Sequence, residues 1–357
     1  MRGPSLSVCC ALFALLASTA SAANSTRSSS CKATTTGQAQ AQAQAASQSP
    51  LSHRTVVQFD EETWIENIAV RQNGNLLLTG LMPNASLYEV TNPDSQNPTV
   101  ARLFTINEVK GLLGIAEISP DVFLIAGGNG GEKGSFHVWT VDFAAGDPSQ
   151  PKMVQDIPEA MLLNGVTKIP GNNNTDVFIS DSMLGLVWIV KVGEQKHEVA
   201  LNVTETQLAP NGAKPLGVNG VHACNDSLCW TNLGLTTFNK IQIGQDGKPA
   251  QGAKVEVLAK LPVSALDDFI MGPATGDTAW ITTNSPDNSL FALNSAGKNV
   301  KVAGSPDALD FATSTACQFG RKDGDKNILY VSAGNGEING KKYGGKVEAI
   351  DVTNFAF

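Results

Sequence analysis

Charge is scarce in this sequence: only 16% of its 357 residues are Asp, Glu, Lys or Arg, against about 25% in an ordinary soluble domain. That excludes a coiled coil and a charge-extended disordered chain. Acids outnumber bases to give a net charge of −8, which removes nucleic acid and other polyanions from the expected partners. Aromatics are 6% and mostly Phe, and the four histidines are His53, His137, His197 and His222. The chain contains no Gly-x-Ser-x-Gly, His-Glu-x-x-His or Gly-x-Gly-x-x-Gly segment, so the common hydrolase elbow, the helical zinc site and the dinucleotide fingerprint are absent. No apolar run approaches the roughly 20 residues that span a bilayer, so no membrane anchor is expected.

What the chain does have begins at its N-terminus. Arg2, an apolar stretch from Leu6 to Ala17 and the small residues Ala20-Ser21-Ala22 form a signal-peptide pattern over residues 1–22, which predicts a secreted protein or one in the secretory-pathway lumen. Residues 23–52, with their Gln-Ala repeats, read as a flexible low-complexity leader before a fold over 53–357. In an oxidising route the remaining cysteines are expected to pair. Cys224 and Cys229 suit a bridge across a hairpin, leaving Cys31 with Cys317. Sequons at Asn24, Asn84, Asn173, Asn202 and Asn225 predict a glycoprotein.

Internal repetition carries the most information. A small or polar start followed by a short apolar strand recurs at Glu66, Leu113, Asn164, Asn219, Asp267 and Ser314, at spacings of 47 to 55 residues. Each start leads to a second strand, such as 75–79 or 227–231, and a third, such as 86–90 or 289–293; the first five copies add a fourth. Six units of about four antiparallel strands predict an all-β, six-bladed propeller. The sixth copy stops after its third strand, while Arg54–Phe59 is a spare strand ahead of the first copy. The N-terminal strand is therefore expected to complete the last blade, which hides the exposed edges.

In such a ring the starts of the innermost strands face the mouth of the central channel. They place Glu66, Asn67, Asn164, Asn219, Asp267 and Ser314 there, with Leu113 breaking the polar set. Apolar residues come just before them, including Trp64, Met161, Leu163, Val218 and Phe311. A few hydrogen-bonding groups amid apolar surface is the composition of a small-molecule pocket. The Gly-rich stretches 127–134 and 334–345 are candidate lids. His222 lies three residues into the fourth inner strand, where its ring is expected along the channel wall.

The six-fold frame, Asn164-Gly165 followed by Val177-Phe178-Ile179-Ser180-Asp181-Ser182, and Asn219-Gly220 together resemble the senescence marker protein/gluconolactonase propellers over Arg54 to Val352. The resemblance implies a divalent metal held by a Glu, an Asn and an Asp, whose matching positions are Glu66, Asn164 and Asn219. Here Asn219 replaces the acid, and Leu112 or Leu113 stands where a further polar residue would help; hard cations prefer charged oxygens, so no cofactor is expected. Asp267 is the carboxylate able to substitute.

Within that superfamily the pattern is similar to secreted fungal hetero-Diels-Alderases of tropolonic sesquiterpenoid biosynthesis. That similarity implies cycloaddition of a tropolone-derived o-quinone methide to the alkene of a humulene-type alcohol, with small lipophilic partners and no metal. Asn164, Asn219, Ser314 and His222 would be the donors to the quinone-methide oxygen. Trp64, Met161, Leu163, Val218, Phe269 and Phe311 would be apolar walls, with Glu66, Asn67 and Asp267 as polar substrate contacts. The alternatives are a metal-dependent lactonase and a propeller that binds a protein or sugar without chemistry.

Overall fold

A computed structural model describes residues 51–145, 148, 150–171, 175–210, 214–273 and 276–357. They form a ring of six four-stranded antiparallel sheets. The inner strands are Trp64–Val70, Gly111–Ser119, Leu163–Lys168, Val218–Cys224, Phe269–Met271 and Ser314–Phe319. In the first five blades the sheet runs outward in chain order; in the sixth the order is inner strand, Ile328–Ala333, Lys346–Asp351, and finally His53–Gln58 from the N-terminus. Both expectations, six blades and a seam closed by the chain start, are therefore met.

The second strands explain why the sheets stack as they do. Leu76–Met82, Val122–Gly128 and Val177–Asp181 are nearly continuous apolar runs buried on both faces, as strands covered on both sides must be. The contacts fall into six apolar clusters, one for each junction between neighbouring blades. Leu77, Leu87, Phe123 and Trp139 fill the first junction, while Val56, Ile65, Leu78 and Tyr330 fill the one beneath the seam. The cluster between the second and third blades extends over the strand starts through Trp64, Leu81, Leu113, Leu162, Leu163, Leu216, Leu233 and Ala265, so an apolar layer caps the mouth end of the ring.

Cys224 and Cys229 form the expected disulfide beside the two-residue turn Asn225–Asp226. Asn225 takes the left-handed φ of 57° that such a turn needs. Cys317 is a buried thiol whose Sγ lies 3.3 Å from the Trp280 carbonyl; Cys31, its expected partner, falls outside the described residues. So do the signal and leader calls and the sequons at Asn24 and Asn173. Asn84, Asn202 and Asn225 are exposed.

Candidate functional site: the propeller mouth

Pairing between first and second strands slips at the repeated starts, between Ile65 and Asn67, Leu112 and Ile115, Leu163 and Val166, Val218 and Val221, and Ser314 and Cys317. Each slip is a bulge that turns a carbonyl away from its own sheet. A hydroxyl on the preceding blade's second strand satisfies it. Thr79 Oγ1 donates to the Leu113 carbonyl at 2.6 Å, Ser180 Oγ to Asn219 at 2.5 Å, Thr231 Oγ1 to Asp267, and Thr282 Oγ1 to Thr315 at 2.9 Å. From the sixth blade the inner-strand Thr315 Oγ1 donates to the Ile65 carbonyl at 2.9 Å, while Ala126 leaves the second blade without a clasp to the third. The glycines after the starts are packing devices. A Cβ on Gly114 would lie 2.1 Å from the Asn164 carbonyl oxygen, and one on Gly165 2.8 Å from that of Asn219, so only glycine lets these backbones meet near the axis.

Two adjacent acids of the fifth blade divide the channel. Asp268 accepts from Asn67 Nδ2 at 3.1 Å, across the axis from the first blade, and its other oxygen lies 3.1 Å from His222 Nε2 of the fourth. His222 lines a separate pocket of about 380 Å³ with Thr167, Lys168, Gln318 and Arg321, residues near the far ends of the inner strands. The structure thus places His222 at the opposite end from the strand starts, away from the other three expected donors. Asp268, beside the Asp267 singled out from sequence, was the residue missed; the doubled acid was the available signal.

On the mouth side, Glu66 accepts the Trp64 indole N–H at 2.5 Å and Asp267 accepts from Asn284 Nδ2 at 2.8 Å. Burial lifts the Glu66 carboxyl to about 7, against the lowering effect of the Trp64 hydrogen bond and with help from the Asp268 charge. Asp267 is pushed well above the usual range by burial and then by the charge of Glu66. The two acids therefore feel each other across the ring. Lys214, held at 2.8 Å from the Ser285 carbonyl, counters Asp267, and burial lowers its own pKa.

The remaining sequence-derived residues divide. Asn164 and Asn219 are buried at their bulges, and Asn219 Oδ1 has no hydrogen-bond partner. Ser314 is fully buried with its hydroxyl donated to the Phe311 carbonyl at 2.8 Å, so its proton is already committed. Met161 is half-buried at the rim, where its carbonyl accepts from Gly131. Leu163 and Val218 are completely buried in blade junctions. Phe269 packs edge-on against Phe238 and His222, and Phe311 against His53. These last four are core residues instead of exposed walls, because side chains alternate faces along a strand and a neighbour of a channel residue points between blades.

The apolar wall is elsewhere. A cavity of about 660 Å³ opens at the mouth, off the axis, between the first two blades and an insertion in the sixth. Its surface is mostly carbon, from Leu81, Met82, Pro83 and the backbones of Gly111, Gly128 and Gly336, and Lys110, Lys342, Asn335 and three glutamates complete the lining. Both Gly-rich stretches supply walls. The first is tied down by Asn129, which accepts from the Lys110 backbone N–H at 2.9 Å and donates to Glu132 at 3.0 Å. The second is a small hairpin, Gly336–Ile338 with Lys341–Tyr343, anchored by Tyr343 to Thr313 at 2.7 Å and by Asn335 to the Glu61 carbonyl at 2.9 Å. Trp64 stands behind this lining: it pairs with Met82 in register, and a Cβ on Gly334, the neighbour of Asn335, would come 2.5 Å from its ring.

Among the described residues, no three His, Cys, Asp or Glu side chains are grouped to hold a metal ion. The side-chain oxygens buried at the strand starts are those of the Glu66 and Asp267 carboxylates and the Asn164 and Asn219 amides. Two mutually destabilised acids and a partnerless buried Asn219 oxygen have the chemistry of a hard-cation site.

No protein-family model matches the chain. A protein from a Phoma species, named a hetero-Diels-Alderase, is 31% identical over 313 residues, covering 79% of this chain and 87% of its own length. The chain belongs to the hetero-Diels-Alderase family. A second member, from Sarocladium schorii, named hetero-Diels-Alderase asR5, is 29% identical over 349 residues, covering 87% of this chain and 86% of its own. Among solved structures, regucalcin from Agrobacterium tumefaciens superimposes with a TM-score of 0.58 at 14% identity, covering 85% of this chain and 95% of its own. A protein described as a gluconolactonase gives 0.55 at 11% identity, covering 84% and 92%. At such identities these two establish the six-bladed architecture and nothing about chemistry.

Proposed function

We propose that this chain is an intermolecular hetero-Diels-Alderase of the secretory pathway that joins a tropolone-derived o-quinone methide to the alkene of a humulene-type sesquiterpene alcohol. The observation that carries the reading is the mostly carbon-lined cavity of about 660 Å³ beside the polar strand starts, in a chain of the hetero-Diels-Alderase family. Such a reaction forms one C–C and one C–O bond in a single pericyclic step, with no proton moved and no nucleophile required. Catalysis then reduces to two tasks. Holding the partners face to face supplies most of the barrier reduction, up to about 7–11 kcal/mol in the best oriented systems. A donor to the heterodiene oxygen, whose negative charge grows as the bonds form, supplies the rest. The amide N–H groups of Asn164 and Asn219 are the donors this reading assigns. The exposed sequons at Asn84, Asn202 and Asn225 support the secretory location.

The test is to generate the quinone methide in the presence of the sesquiterpene alcohol, with and without purified protein. Acceleration and a single stereoisomer are expected, and the Asn164→Ala/Asn219→Ala double variant should lose about tenfold to a hundredfold in rate. Identical product distributions with and without protein would overturn the reading. The oxygen set of Glu66, Asp267, Asn164 and Asn219 favours one second reading, a metal-dependent lactonase, in which a bound divalent ion would polarise a carbonyl and activate water. Lactone hydrolysis abolished by chelation would select it; chelator-insensitive cycloaddition would select the first.

A further inference from the structure

We infer that the off-axis cavity is the compartment for the hydrocarbon partner and that Trp64 is the wall between it and the polar channel mouth, an assignment that rests on the cycloaddition reading. The expected place for both reactants is the axis, but there Asp268 joins Asn67 of the first blade to His222 of the fourth, a polar and charged set instead of an oily cup. The cavity lies to one side, within the roughly 300–1,000 Å³ range of ligand pockets. Leu81, Met82 and Pro83 with glycine backbone give it a mostly hydrocarbon contact area, while Lys110, Lys342, Asn335 and three glutamates complete the lining. An oxygen-rich planar partner would lose the hydration of several polar atoms there, whereas a sesquiterpene alcohol has a single hydroxyl to keep in water or on a polar lining residue.

Trp64 couples the two compartments. Its ring is backed by Gly334, the neighbour of the lining residue Asn335, its strand pairs with the lining residue Met82, which packs against the same apolar cluster, and its N–H is spent on Glu66. An alkene held against Met82 is thereby one indole away from Glu66. The walls are fixed in advance by the Asn129, Tyr343 and Asn335 hydrogen bonds, so the cavity exists before any ligand arrives.

The experiment uses the full chain and two readouts. N-phenyl-1-naphthylamine, a neutral lipophilic fluorophore, reports cavity occupancy, and a humulene-type sesquiterpene alcohol competes for it. Met82→Trp, which fills the cavity, should weaken competition by the alcohol at least about tenfold and raise its KM accordingly, leaving the KM of the quinone methide within about twofold. Lys342→Phe, which adds bulk from an exposed rim position, should act in the same direction if Met82→Trp does not fold. Met153→Trp on the exposed outer strand of the second blade is the control and should change neither value. Unchanged alcohol competition in a folded Met82→Trp or Lys342→Phe protein overturns the assignment even if adduct still forms. Displacement by the alcohol in wild type, lost in Met82→Trp, upholds it even if no adduct forms, in which case only the catalytic reading falls.

Discussion

At the scale of single residues, the mouth is governed by how few charges the fold admits. Glu66 is held at about 7 in the folded protein against 4.5 for a free glutamate. A carboxyl raised on folding contributes stability below the unfolded value, and that contribution disappears as pH climbs through the folded one. Wild-type stability should therefore fall between pH 4.5 and 7, by on the order of 3 kcal/mol at 1.36 kcal/mol per unit. Glu66→Gln, which keeps an acceptor for Trp64, should flatten that slope and melt higher than wild type at pH 8, as a thermal-shift series would show. A parallel slope in both proteins would mean that Glu66 is not the group responsible. Glu66, Asn164, Asn219 and Asp267 were legible as mouth residues because a repeat marks equivalent positions. The roles of Phe269 and Phe311 were not, since sequence adjacency to a channel residue does not say which face a side chain takes after a bulge. Asp268 bridges three blades, a relation that no local pattern encodes.

At the scale of elements, blades are clasped by a hydroxyl at one position of the second strand, present as Thr79, Ser180, Thr231 and Thr282, relayed through Thr315 from Ser332 in the sixth blade and replaced by Ala126 in the second. Thr282 also accepts from the Asp268 N–H at 3.1 Å. Thr282→Val should leave buried partners unmet and cost about 1–3 kcal/mol, read as a lower midpoint in urea. Ala126→Ser should restore the sixth clasp, toward the Asn164 carbonyl, and gain about 1 kcal/mol; a midpoint that falls instead would show that no room exists for the hydroxyl. The strands themselves were readable to within a few residues because both-face burial enriches them in Val, Ile, Leu and Phe. The cavity was not readable, because its walls come from the ends of the first two blades and a hairpin more than two hundred residues later.

For the molecule as a whole, the seam decides integrity. His53–Gln58 pairs with Lys346–Asp351, buries Val56 and sets Thr55 2.7 Å from Glu348. A variant beginning at Leu51 should melt as the full chain does, while one beginning at Asp60 should lose cooperative unfolding by calorimetry, since the sixth sheet would be left with a bare edge. Equal transitions for both would mean that the ring holds without its latch. The same latch also orders events in the cell. Strand His53–Gln58 leaves the ribosome long before its partner, since its place is made only by Lys346–Asp351, a segment far later in the chain. The nascent protein can stack blades as they emerge but cannot become a closed ring until Lys346–Asp351 is released, so chaperone dependence should persist until that segment emerges.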